Sequence, residues 1–138
     1  MTRFTECRMD EARRICALIE RLGAGGRYRG FRCLACAVEL ALEDEDRLYG
    51  LTKALYPAVA RRLHTKPGNV ERNIRTLIAR IWEKGDRAEL CRLARRELTE
   101  RPSVGEMIEI LTSYLLYGIE SQKIKKMQKE KDVVILAH

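Results

Sequence analysis

The chain has 138 residues, of which 46% are hydrophobic and 34% are charged. This length and composition suit a single globular domain and exclude an intrinsically disordered chain. No apolar run approaches the ~18 residues that cross a bilayer, and no signal-peptide core stands at the N-terminus. We therefore expect a cytoplasmic protein that does not bind membranes.

The positive charge of the chain is concentrated in one segment. Within a formal net charge of +7, the stretch from Lys53 to Arg96 holds 12 Lys and Arg against 4 Asp and Glu, whereas the remainder holds 15 against 16. A local excess of this kind attracts the phosphate backbone of a nucleic acid. A basic surface for an acidic protein or an anionic lipid is the alternative.

Five cysteines raise the question of a disulfide, redox or metal site. They are Cys7, Cys16, Cys33, Cys36 and Cys91. An odd number without a secretion signal argues against a disulfide framework. Cys33 and Cys36 have the CxxC spacing, but they fall within a predicted helix and no second pair completes four zinc ligands. We expect small buried packing residues, with no metal and no cofactor.

Apolar residues at helical spacing and a scarcity of aromatic residues predict an all-α fold. The stretches with this pattern lie, in chain order, at about 5–22, 31–42, 47–55, 57–63, 68–82, 87–98 and from 103 onward. Gly23 is expected to end the first helix in a left-handed conformation. The acidic run at 43–46 is expected to cap the third stretch, and Ser103 with Glu106 predicts a capping box on the last helix.

The segment from about 57 to 82 has the pattern of a helix-turn-helix. Pro67 and Gly68 interrupt the helical pattern after Leu63, and Thr65 is the expected N-cap of the second helix. The predicted buried stripe of this helix consists of Val70, Ile74, Leu77, Ile78 and Ile81. Its outward side chains, which suit base edges and phosphates, are Asn69, Glu71, Arg72, Asn73, Arg75, Thr76 and Arg80. The alternative is a pair of ordinary helices with a solvated outer face.

We assign a helical DNA-binding domain to residues 1–117 and a C-terminal tail to residues 118–138. The tail is basic first and apolar at its end. The last core helix presents a wide apolar face from Met107 to Ile119, and part of that face is a candidate for pairing with a second subunit.

A resemblance to a known family is carried by the stretch LYGLTKALYPAVARRLHTKPGNVERNIRTLIARIWEKGD. It resembles the DNA-binding domain of the stage-zero sporulation regulator of endospore-forming bacteria, the master response regulator of sporulation. The pieces that carry the likeness are Leu51-Thr52-Lys53-Ala54-Leu55-Tyr56-Pro57, Val70-Glu71-Arg72, Ile74-Arg75, and Trp82 ahead of Lys84-Gly85. The similarity runs from about Ile15 to Leu116, through Gly30-Phe31 and Arg101-Pro102-Ser103.

The resemblance implies six helices with the helix-turn-helix in the middle. It also implies binding to a DNA box similar to TGTCGAA, often as head-to-tail pairs, and contact with the sigma factor of RNA polymerase. Glu71 and Arg72 match the family's base-reading pair, and Arg75 matches a basic position of the recognition helix. Only the effector part is covered, so we expect no receiver domain and no control through a receiver aspartate.

The chain departs from the family pattern at three places in the helix-turn-helix and has a shorter loop before the last helix. Asn69 stands where an arginine is usual, Thr76 stands where a histidine is usual, and 66–68 replaces a Thr-Ala-Ser-like turn. We therefore expect a different target sequence or a lower affinity.

We predict an all-α domain of about six helices with a central helix-turn-helix, acting as a sequence-specific DNA-binding transcriptional regulator. The residues predicted to face bases are Asn69, Glu71, Arg72 and Asn73. The residues predicted to hold phosphates are Lys66, Arg75, Thr76 and Lys84. Double-stranded DNA is the predicted partner, with a sigma factor and a second copy of the chain as further candidates.

Two other functions compete with this prediction. One is a protein-interaction module that binds a regulator or a sigma factor without reading DNA. The other is an enzyme or metal protein built on Cys33 and Cys36, which we disfavour because the sequence offers no nucleophile–base pair and no catalytic acid cluster.

Overall fold

The computed structural model describes residues 2–117, with side chains described from Asp10 onward. Within this part of the chain there are six α-helices and no strand, which confirms the predicted all-α fold. The helices are α1 (Thr2–Arg21), α2 (Arg29–Glu43), α3 (Tyr56–Leu63), α4 (Pro67–Lys84), α5 (Arg87–Ala94) and α6 (104–117). None of the described helices has the length and apolar character to span a bilayer. The tail predicted at 118–138 lies outside the described residues.

The connection between α2 and α3 shows that the third predicted helix was wrong. It consists of a 3₁₀ turn at Glu45–Tyr49 and one wide π-type turn at Leu51–Leu55. Gly50 separates the two turns with φ −137° and ψ 60°, which lies outside the helical region. The side chain of Asp44 accepts a hydrogen bond from the Asp46 N–H at 3.1 Å. The acidic run therefore caps a 3₁₀ turn instead of an α-helix.

The end of α5 also differs from the predicted bounds, because the helix stops at Ala94 and not near Leu98. Arg95 takes the left-handed conformation with φ 59°, and its N–H bonds back to the last turn of α5. The Leu98 N–H then donates to the Cys91 sulfur at 3.4 Å, which ties the connection to α6 onto α5. No glycine marks this helix end, so the apolar pattern extended past it.

Helix α4 is the central helix of the core. All five members of its predicted apolar stripe are at most 2% exposed, which confirms the predicted buried face. It packs against α2 and α3, and α1 packs against α2. Truncation of such a fully buried aliphatic side chain to alanine typically costs about 2–5 kcal/mol, so this stripe fixes the rotation of α4 about its axis.

A glycine sets the distance between α2 and α4. A Cβ placed on Gly30 would lie 2.2 Å from the Asn73 carbonyl oxygen and 2.7 Å from the Leu77 Cβ. Both distances are far shorter than van der Waals contact, so only glycine allows α2 to cross α4 at this separation. The first turn of α2 is thereby held directly beside the first half of α4.

A second close approach joins the ends of α1 and α4. The Asp86 N–H donates to the Leu22 carbonyl at 3.0 Å, and a Cβ on Gly85 would lie 2.3 Å from that oxygen. Gly23 has φ 98°, which confirms its predicted left-handed conformation at the end of α1. These glycines let the two helix ends meet backbone to backbone.

The predicted helix caps have mixed outcomes. Ser103 accepts a hydrogen bond from the Glu106 N–H at 3.2 Å, so the cap on α6 is confirmed. Thr65 was wrong as the N-cap of α4, because Lys66 occupies that position without a side-chain cap. The Thr65 hydroxyl instead accepts from the Asn69 amide at 3.3 Å.

The cysteines of α2 are packing residues, as predicted. Cys33 is 4% exposed and Cys36 is 6% exposed, and both belong to the hydrophobic core. Burial raises the pKa of each thiol, which suppresses the reactive thiolate. Within the described part of the chain, no group of three or more His, Cys, Asp or Glu could hold a metal ion.

Replacing Gly30 with alanine is expected to lower the free energy of unfolding by about 1–3 kcal/mol, because the added methyl group forces α2 away from α4. Urea denaturation followed by far-UV circular dichroism measures this change. Gly68→Ala is the matched control, since nothing lies within 4 Å of a Cβ built there. The control should unfold at the same or a slightly higher urea concentration, and wild-type stability of Gly30→Ala would contradict the close approach.

Cys33 and Cys36 are expected to resist alkylation by iodoacetamide in the native protein. Their raised thiol pKa means that little thiolate is present at pH 8, and burial blocks access to the reagent. Mass spectrometry of the peptide that contains both residues should show modification only after unfolding in urea. Rapid labelling of the folded protein would mean that α2 opens locally and that these thiols are not locked in the core.

Candidate nucleic-acid interface

The turn between α3 and α4 is three residues long and is closed by backbone contacts. His64 takes the left-handed conformation with φ 55° and ψ 50°. The Thr65 N–H then donates to the Ala60 carbonyl at 2.9 Å. Pro67 occupies the first turn of α4, where its missing N–H costs little. The two helices and this short turn form a helix-turn-helix with α4 as its second helix.

Arg72 lies at the centre of the outward face of α4. At about 100° per residue, it points nearly opposite to the centre of the buried stripe. The residue is exposed, and its guanidinium forms no ion pair with any carboxylate of the described residues. A free, outward guanidinium can donate two parallel hydrogen bonds to a guanine edge or to a phosphate.

The side of α4 that faces α2 carries three polar side chains already engaged within the protein. The Asn69 amide bonds to the turn before the helix, and the Thr76 hydroxyl donates to the Arg72 carbonyl at 3.0 Å. Asn73 contacts Cys33, where burial raises the thiol pKa and the hydrogen bond with Asn73 opposes that rise. Each internal bond uses only part of the hydrogen-bonding capacity of its side chain, so the remaining donors and acceptors can contact a ligand.

The opposite side of α4 carries an ion pair between Glu71 and Arg75. The two residues are one helical turn apart, and the Arg75 side chain is 63% exposed. An exposed pair of this kind is worth less than about 1 kcal/mol, so a phosphate can compete with Glu71 for the guanidinium. The pair also holds the Glu71 carboxylate on the outward side of the helix.

The two predicted lysines stand at opposite ends of α4. Lys66 is exposed immediately before the first turn, close to the outward residues of the first half of the helix. Lys84 is the last residue of α4, about 18 Å along the helix axis from Arg72. The fold therefore brings Lys66 to the other predicted residues and leaves Lys84 apart from them.

Sequence reasoning missed two arginines of α2. Arg29 and Arg32 line an open groove of about 280 Å³ together with Asn69, Arg72 and Asn73 of α4. The groove forms because Gly30 holds the two helices close together. The available signal was Arg32 in the first turn of the helix predicted from about 31, with Arg29 two residues before that start, because acidic residues are favoured at a helix start. The outward arginine Arg62 of α3 is instead paired with Glu39 of α2 at 3.6 Å.

A comparison with protein families agrees with the architecture and with the resemblance inferred from the residues. The model of the family described as "Sporulation initiation factor Spo0A C terminal" matches residues 15–115. The match spans most of the chain and includes α2 to α5 entirely. The chain belongs to the family of the sporulation initiation factor Spo0A C-terminal domain, a DNA-binding domain of transcription regulators.

Proposed function

We propose that the chain is a sequence-specific transcription regulator that inserts the first half of α4 into the major groove of DNA. The observation that carries the proposal is the position of Arg72. It is exposed, lacks a carboxylate partner among the described residues, and lies opposite the buried stripe of the second helix of a helix-turn-helix. Helices in this position enter the major groove and read bases through their N-terminal residues.

The proposed roles follow the chemistry of the outward face. Arg72 donates to a guanine, and Glu71 accepts from a cytosine amino group. Asn69 and Asn73 each pair with an adenine edge. The proposed phosphate contacts are made by Lys66, Arg75, Thr76 and Lys84. Because Lys84 lies far along the helix, its phosphate would belong to a different part of the groove from that of Lys66.

The distribution of charge along the chain supports the proposed position of DNA on the outward face of α4. Of the 12 Lys and Arg between Lys53 and Arg96, 8 lie on α3, α4 and α5, which together carry 3 Asp and Glu. Such a surface attracts the duplex at long range and makes binding strongly dependent on salt. A cytoplasmic location, where the chain meets DNA, belongs to the same proposal.

A second copy of the chain and a sigma factor are proposed as partners on DNA. Most of the apolar face of α6 is not free to bind a second copy, because Met107, Ile108 and Leu111 are fully buried. A dimer would therefore use another surface, and a single small reading head gains specificity by binding in pairs.

The competing proposal is an interaction module that does not read DNA. The Glu71–Arg75 ion pair favours it, because this pair occupies part of the face that would meet bases. The internal hydrogen bond of the Asn69 amide also favours it, because the N–H that bonds to Thr65 is not available to a base.

Replacing Arg72 with alanine is expected to abolish the preference for a duplex carrying a TGTCGAA-like box over a scrambled duplex. Loss of a bidentate guanine contact costs about 1–3 kcal/mol of discrimination, which is roughly 5- to 150-fold in relative affinity. Fluorescence anisotropy with both duplexes across a salt series measures the effect.

Arg13→Ala is the control for this experiment, since Arg13 is an exposed arginine of α1 with no ion pair among the described residues. It should retain the preference for the box. Equal, salt-sensitive binding of both duplexes by wild type and Arg72→Ala would mean backbone binding or a different operator. Absence of DNA binding at moderate salt would support the interaction module.

A further inference from the structure

The first turn of α2 has a charge pattern that works against its own helix. Arg29 and Arg32 lie in this turn, no acidic residue accompanies them, and Tyr28 at the N-cap provides no side-chain hydrogen bond. The N-terminus of a helix carries partial positive charge, so two cations are unfavourable there. A local rule broken without compensation commonly marks a functional site.

The surroundings of these arginines do not neutralise them. Arg29, Arg32 and Arg72 line the same groove, and no Asp or Glu is among its lining residues. None of the three forms an ion pair with a carboxylate of the described residues. Three arginines from two helices therefore line one open groove without a carboxylate, and such a groove favours an anion.

The positive edge continues from this groove along α4. The Arg80 guanidinium lies 5.0 Å from the centre of the Tyr28 ring, and the Arg27 guanidinium lies 5.3 Å from the same centre. The hydrogen bond from Arg27 and the charge of Arg80 lower the pKa of Tyr28. Arg80 is about 12 Å beyond Arg72 along the helix axis, so the edge is longer than one phosphate group.

We propose that the first turn of α2 is a second DNA-contacting element, in which Arg29 and Arg32 bind a phosphate of the strand that borders the major groove beside α4. This proposal rests on the proposed function, because it places the duplex on the outward face of α4. The occupant is a phosphodiester because the groove is open and continuous with the base-reading face. Arg29 and Arg32 position the duplex without reading its sequence.

The test compares the full chain with Arg29→Gln, Arg32→Gln and the control Arg13→Gln. Affinity for the box duplex and the scrambled duplex is measured from about 50 to 200 mM salt, and the thermal midpoint of each free protein is recorded. Arg29→Gln and Arg32→Gln should each weaken binding of both duplexes about five- to tenfold. Each should also reduce the slope of log affinity against log salt by about 1 and leave the ratio between the duplexes unchanged.

Thermal stability separates this role from a structural one. Removing a cation from a helix N-terminus should leave the thermal midpoint of the free protein unchanged or raise it, while DNA binding weakens. If Arg29→Gln and Arg32→Gln bind both duplexes as tightly as Arg13→Gln does, the proposal for α2 is overturned. In that case the proposed role of Arg72 still stands, provided that Arg72→Ala loses the preference for the box duplex. If the wild-type chain binds neither duplex, both proposals fail.

Inorganic phosphate at constant ionic strength is the second probe. A site for a free anion would be identified by two results together. Phosphate would raise the thermal midpoint of the wild-type protein but not that of Arg29→Gln or Arg32→Gln, and both variants would bind DNA normally. That result would overturn the assignment to the DNA backbone.

Discussion

The close approach of α2 to α4 at Gly30 is the contact on which the rest of the candidate interface depends. It exists because Gly30 has no Cβ, and the Asn73 carbonyl oxygen occupies the space that a Cβ would need. The complete burial of the α4 stripe turns Arg72 outward, and the Gly30 contact sets the distance from α4 to α2. The same contact also places the first turn of α2 beside the outward face of α4, so that Arg29 and Arg32 share a groove with Arg72.

The sequence predicts those features that depend on local periodicity. The α4 stripe, the break near Pro67 and the left-handed Gly23 follow from spacing and from residue types with one dominant role. The prediction of a helix between α2 and α3 was wrong, because leucines at helical spacing do not show that the backbone of Gly50 leaves the helical region. The predicted end of α5 was wrong because Arg95 adopts the left-handed conformation, which arginine rarely takes.

Only some residues of the candidate interface could be predicted from the sequence. The spacing of residues along the chain does not show which distant segments come together in the fold. The outward residues of α4 follow from the same periodicity that gives its buried stripe. The groove with α2 does not, since it depends on how closely two helices cross at Gly30. Likewise, the sequence gives no sign that Asn69 bonds within its own turn. These internal bonds organise the outward face before any ligand binds. They also leave fewer donors and acceptors available to contact a ligand.

The central claim is that DNA lies on the first half of α4 and on the first turn of α2. Titration of the isotope-labelled full chain with a box duplex, followed by NMR of backbone amides and arginine side chains, tests it most directly. The account predicts that the largest shifts occur at Arg72 and its neighbours on α4 and at Arg29 and Arg32 on α2, with a smaller response to a scrambled duplex. Shifts confined to α5 and α6, with Arg72 and Arg32 unchanged, would contradict it.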